Sequence, residues 1–235
     1  MDRLFQTLSL IDIHKDLVRN IASPMRDENL FDDLSESPND WITAEQVETE
    51  LKPRDYNSVT PIINKPFEVA QWDNAINYPF KNWTNSRYSN GNYGVWYGAE
   101  SVPTSIYESA HHWHKGFLAD AGFNQAGLIS ERKVYYVRCD AALINLKEKV
   151  LAFPQLTDPR DYTYCQTVGA RLHHEGHPGL VSRSVRHLSG QTFAILRPQV
   201  LSAPRVATHF TYELTQNGIV VREDGKRKFL TIPTH

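Results

Sequence analysis

An arginine, a tyrosine and a glutamate stand at positions 87, 97 and 108, in Ser86-Arg87-Tyr88-Ser89-Asn90-Gly91, Trp96-Tyr97-Gly98 and Ile106-Tyr107-Glu108. A guanidinium fork matches phosphate oxygens, and an aromatic face attracts a cationic ring. A carboxylate stabilises positive charge that develops on a sugar. Together the three suit a ligand that combines phosphate, ribose and a positively charged ring. Taken singly, each has a plainer reading: a surface arginine, a core tyrosine with its hydroxyl satisfied, a solvated helix glutamate.

A second stretch of interest is Gly179-Leu-Val-Ser-Arg-Ser-Val-Arg186, followed by Gly190 and Phe193 to Pro198. A strand ending at Ser184 and Arg186 can bring a hydroxyl and a second cation to phosphate or ribose. The plainer reading is a strand rim with a solvated arginine. The histidines gather at His111, His112 and His114 and at His173, His174 and His177. Neither group has metal-ligand spacing: His174-Glu175-Gly176-His177 is one residue short of a zincin helix, so no metal is expected. No Gly-x-Ser-x-Gly, Gly-x-x-x-x-Gly-Lys or Gly-x-Gly-x-x-Gly occurs, which argues against a serine hydrolase, a P-loop enzyme and a Rossmann dehydrogenase.

These residues need elements to hold them. Tyr93 to Ala99 is a β-prone run between glycines. Ser101 caps a following helix with Pro103 in its first turn, and Ile106, Ala110, Trp113 and Phe117 form its apolar stripe. Lys133 to Cys139 alternates as a strand, and Ala142 to Leu146 reads as another. Tyr162 to His174 is helical, with Cys165, Val168 and Leu172 on one face and Gly176 as the stop. Gly179 to Ser184 and Thr192 to Leu196 are strands. Asn217-Gly218 joins His209–Thr215 to Ile219–Arg222 as a hairpin. Before these, Leu8 to Ile21 has helical spacing through Leu10, Ile13, Leu17 and Ile21, and Thr43-Ala-Glu-Gln46 is a capping box for a helix to Leu51, stopped by Pro53. Residues 22–42 and 53–66 read as loops. The expected class is α+β, with a helical, acidic extension over residues 1–65 packed on a main domain over 66–235.

The chain has 235 residues, 40% of them apolar, enough for one buried core. Its 25 Lys and Arg nearly balance 27 Asp and Glu, so no global charge draws it to nucleic acid or an anionic membrane. The charge is uneven: Asp27 to Glu50 is acidic and Arg183 to Arg205 basic. Two cysteines, Cys139 and Cys165, fit buried thiols in a reducing compartment. Neither a signal-peptide h-region nor an apolar membrane span is evident, so a cytoplasmic location is expected.

In order and local context these positions resemble the RES domain, the toxin half of RES–Xre toxin–antitoxin pairs. Arg87 matches the arginine of the family's Gly-Gly-Arg-Trp-Asn-like turn, Tyr97 its tyrosine, Glu108 the glutamate on the next helix, and Ser184 its serine. Ser86 and Tyr88 replace the commoner glycine and tryptophan. The resemblance covers roughly residues 66–210. It implies an ADP-ribosyltransferase-like split central sheet with flanking helices. It also implies NAD as substrate, no prosthetic group, and an Xre-type antitoxin covering the site. Glu108 would stabilise the ribosyl cation, and Tyr97 would stack on or orient nicotinamide. Arg87 would clamp the pyrophosphate side, Ser184 would bond phosphate or ribose, and Tyr88 is a further stacking candidate. The leading expectation is a toxin that cleaves the nicotinamide–ribose bond, with water or phosphate as acceptor. ADP-ribosyl transfer to a protein is the alternative. It is disfavoured because Ser105, Ile106 and Tyr107 place no second acid before Glu108. An inactive interaction module is the third reading, opposed by the intact set of four.

Overall fold

The structure is a computed structural model that describes residues 2–23, 72–123 and 125–234. After a single turn of helix, α1 (Asp2–Phe5), the chain enters the long strand β1 (Ser9–Ala22). A π-helical turn (Asp73–Asn77) and α2 (Tyr78–Lys81) lead into the small β2–β3 hairpin (Asn85–Ser86, Ser89–Asn90). Then follow β4 (Trp96–Ala99), α3 (Val102–His111) with a π-helical continuation (His112–Leu118), and β5 (Ile129–Asn145). The remaining elements are α4 (Thr163–His174), β6 (Gly179–Arg183), β7 (Gln191–Ile195), β8 (Leu201–Thr215), β9 (Gly218–Glu223) and β10 (Arg227–Ile232).

The fold is α+β, built on an eight-stranded sheet in the order β1-β4-β7-β6-β5-β8-β9-β10. β1 also pairs antiparallel with β5 along its whole length, from Ser9 opposite Asn145 to Ala22 opposite Arg132. Strands β1, β4, β7, β6 and β5 therefore close on themselves. Their shared core contains Ile13, Leu17, Trp96, Val137, Val181 and Phe193. Closure is incomplete at one seam. β1 meets β4 at a single bridge, Val18 opposite Ala99, whereas β4 pairs with β7 over four residues. Backbone groups beyond that bridge must find other partners. A cleft opens there, lined by Val18, Arg19, Tyr97 and Ala99.

The helix expected over Leu8 to Ile21 is instead strand β1, so residues 9–22 belong to the main sheet. The apolar residues Ile11, Ile13, Leu17 and Ile21 follow a two-residue period, interrupted by Lys15 and Arg19. Those two cations fit the same face because their charged ends lie over the rings of Phe193 and Trp96, at 5.4 and 5.5 Å. The two strands expected within 133–146 are one continuous strand, β5. The capping box at Thr43 and the loops around it lie outside the described residues. On α3 the expected stripe holds for Ile106, Ala110 and Trp113 but not Phe117, which is 65% exposed. The wider π turn after His112 shifts the register and buries Leu118 instead.

Candidate active site

Glu108 sits on α3, whose start is fixed by Ser101: its side chain accepts from the Thr104 N–H at 3.3 Å. Ile106 and Ala110 are fully buried and anchor the helix, which leaves Ser105, Glu108, Ser109 and His112 along the cleft. The segment after β6 folds back on this helix. Its backbone is pinned by Ser184 N–H to Gly190 O and Gly190 N–H to His187 O, both at 2.8 Å. The His187 ring stacks on Tyr107 at 4.8 Å, and its Nδ1 lies 2.9 Å from Thr104 Oγ1. Ser184, itself buried, then donates its hydroxyl to Glu108 Oε1 at 2.6 Å. Ser184 Oγ also accepts from the backbone N–H groups of Arg186 and His187, at 3.2 and 2.9 Å. Ser184 thus reaches the cleft through Glu108, with its hydrogen-bonding capacity already in use.

Tyr97, on β4, carries the next part. Its hydroxyl donates to Ser86 Oγ at 3.0 Å and accepts from the Tyr88 N–H at 2.9 Å. Burial pushes this phenol well above its ordinary pKa, so it remains a neutral donor. The two residues it holds flank Arg87, so Tyr97 sets the turn that presents the guanidinium. α4 braces the same turn: Gln166 donates to Asn85 Oδ1 at 2.6 Å and to Ser86 O at 3.0 Å. Arg87 donates to Asp158 O at 2.8 Å and lies 4.3 Å over the Tyr162 ring. Arg87, Tyr97 and Glu108 all line one cleft of about 900 Å³.

Tyr88 departs from its expected role. Its side chain is 2% exposed and packs with Tyr93, Val168 and Leu172, so its ring cannot stack on a ligand. The cause is close backbone docking. Tyr93 donates its hydroxyl to Tyr88 O at 2.5 Å, and a Cβ on Gly169 would lie 2.1 Å from that carbonyl oxygen. The ring is driven into the core, and only its edge of the turn reaches the cleft.

The cleft's electrostatics are one-sided. Arg19, Arg87, Lys115, Arg132, Arg160 and Arg183 line it, with Glu108 the one acid among the lining residues. Arg19 and Arg132 were missed by sequence reasoning. Arg19 fills the β1–β4 seam, where it donates to Tyr97 O at 2.7 Å, and burial lowers its pKa to about 10. The signal lay only in the strand register, which a helical reading of residues 8–21 hides. Among the described residues no three His, Cys, Asp or Glu converge as metal ligands. His173 instead stacks on Tyr93 at 4.2 Å.

The RES domain family model matches residues 66–215. The chain belongs to the RES domain family. Arg87, Tyr97, Glu108 and Ser184 all fall inside the RES match, whereas Arg19 and Asn20 enter the cleft from a strand outside it. A solved structure similar to this RES protein is the crystal structure of the M. tuberculosis MbcT–MbcA toxin–antitoxin complex. It has 12% sequence identity and a TM-score of 0.47, and the alignment covers 91% of each chain. None of the curated proteins matches the chain. Among the described residues no helix is long and apolar enough to cross a membrane.

Proposed function

We propose that this RES domain protein is the toxin of a toxin–antitoxin pair and depletes NAD by cleaving the bond between nicotinamide and ribose. One observation carries the reading: a single carboxylate, Glu108, held by Ser184 in a cleft whose other charged lining residues are Arg and Lys. Such a site suits a ligand with an anionic pyrophosphate and one centre that becomes positive. In NAD that centre is the ribose carbon attached to nicotinamide. The C–N bond breaks with both electrons going to the ring nitrogen, so nicotinamide leaves neutral and needs no proton. The barrier is the ribosyl oxocarbenium ion. A carboxylate fixed beside it acts without reorganising, which is where electrostatic catalysis gains most.

Each group then has a task. Ser184 orients Glu108 rather than touching the ligand. Tyr97 presents its ring to the cleft while its hydroxyl shapes the Arg87 turn, and Arg87 takes phosphate oxygens. Water as acceptor gives ADP-ribose and a proton; inorganic phosphate gives ADP-ribose phosphate. The absence of a second acid among the cleft-lining residues favours these acceptors over a protein side chain. The antitoxin partner acts by occluding the cleft.

Incubation of the purified protein with NAD, with and without inorganic phosphate, tests the reading. Chromatography of the products separates hydrolysis from phosphorolysis and from modification of protein. Intact NAD under every condition removes the proposal.

A further inference from the structure

Arg132 is held as a ligand-binding arginine is held, yet nothing in the scheme above uses it. It lies on β5, opposite Ala22 of β1. Its Nε donates to Asn20 Oδ1 at 3.1 Å, and its guanidinium lies 5.7 Å from the centre of the Tyr212 ring. Tyr212 is fixed in turn. Its hydroxyl accepts from Asn20 Nδ2 at 3.0 Å and sits 2.8 Å from Ser109 Oγ. Among the described residues no carboxylate pairs with Arg132, and its two terminal nitrogens make no protein hydrogen bond. Arg132 lines the cleft, as does Lys115.

Holding an oriented guanidinium partly out of water, with no counter-ion among the described residues, is costly unless a ligand supplies the charge. Burial lowers the Arg132 pKa. Arg87 does not serve the same place: it is tied to Asp158 and Tyr162, against the loop before α4. Arg132 belongs to the α3 and β1 side. The cleft therefore carries cationic groups at two separately built positions.

We infer that Arg132, oriented by Asn20 and Tyr212, forms a second oxyanion subsite on the α3 wall, shaped for the paired oxygens of a phosphoryl group. The fork geometry of its free terminal nitrogens matches two such oxygens. A phosphoryl group can come from the dinucleotide or from free inorganic phosphate. Which of these fills the subsite rests on the NAD reading of the cleft; the existence of the subsite does not.

The test is titration with inorganic phosphate and with inorganic pyrophosphate, by calorimetry, of the wild-type protein, Arg132→Met and Arg132→Lys. Methionine keeps the apolar stem against Tyr212 and removes the charge. Lysine keeps the charge and loses the fork, and it serves if the methionine variant melts early. Arg132→Met is expected to weaken binding about tenfold or more, the scale of a charge-assisted bond pair, and Arg132→Lys by less. Steady-state kinetics assigns the source. A raised KM for NAD with an unchanged phosphate response places the dinucleotide there. A lost phosphate response at unchanged KM places the free anion there. Wild-type affinity for both anions in a folded Arg132→Met protein overturns the subsite. If the wild-type protein binds the anions but never consumes NAD, the proposed function fails and the subsite stands.

Discussion

Ser184 donates its hydroxyl hydrogen to Glu108 Oε1 at 2.6 Å, across the gap between the loop after β6 and helix α3. The contact fixes one carboxylate oxygen of Glu108, which lines a cleft with no other acid among its lining residues. Glu108→Gln preserves the length of the side chain and an acceptor for Ser184 but removes the charge. The expected result is a fall in NAD consumption of roughly a hundredfold or more, with an unchanged melting temperature, as for loss of a preorganised electrostatic group. NAD loss followed by chromatography gives the answer, and full activity in a folded variant removes the catalytic assignment.

Ser184→Ala separates orientation from ligand binding. Two backbone N–H groups, of Arg186 and His187, lose their acceptor together with Glu108's donor. A stability cost of about 1–3 kcal/mol follows from groups left unsatisfied. Because the serine touches Glu108, kcat should fall while KM for NAD changes little. A rise in KM at constant kcat would show instead that Ser184 binds the substrate itself.

Tyr97→Phe probes the turn. The variant keeps the ring in the cleft but releases Ser86 and the Tyr88 N–H. Arg87 then loses its fixed presentation, so KM for NAD should rise more than kcat falls. Denaturant melts should show a loss of about 1–2 kcal/mol. An unchanged KM would detach Arg87 from the phosphate role.

The parts legible in the sequence were those with local causes. Ser101 and Pro103 announced α3, the buried Cys165, Val168 and Leu172 announced α4, and Gly176, at φ +81°, marked its end. The order of Arg87, Tyr97, Glu108 and Ser184 was visible too, and three of them line the cleft, with the fourth directly behind. β1 was not legible because Lys15 and Arg19 break its alternation. Their stems are accommodated by rings 77 to 178 residues further along the chain, distances no local pattern reports. β1 hid Arg19 and Asn20 with it, and so hid what orients Arg132. Tyr88 was misread for a similar reason: only docking against Gly169 decides that its ring turns inward.

That inward turn has its own consequence. The Tyr88 hydroxyl is buried beside the Ser182 hydroxyl but makes no well-formed hydrogen bond among the described residues, and burial pushes its pKa upward. Removing an unsatisfied polar atom from a core is favourable or neutral. Tyr88→Phe should therefore keep activity and raise stability by up to about 1 kcal/mol, whereas Tyr88→Ala should lose about 3–5 kcal/mol by leaving a cavity. Urea midpoints for the two variants measure this. Loss of activity in a stable Tyr88→Phe protein would return the residue to the site.

The cationic cleft also shapes the response to acid. His111 has its pKa lowered to about 4, first by burial and then by Arg186, His112, Lys115 and Arg87 around it. Burial lowers His112, His114 and His173 as well. An unfolded histidine takes up its proton near pH 6.5, whereas folded His111 refuses it until about pH 4. Between those values the unfolded chain binds more protons than the folded one, so unfolding free energy falls as pH drops through that window. His111→Gln removes one of these contributions and should flatten the fall. Urea midpoints measured from pH 7.5 down to 4.5, wild type against variant, decide the matter. Parallel curves would mean that His111 takes up its proton at the same pH in the folded and unfolded protein, and burial and the surrounding cations would then not disfavour its charge.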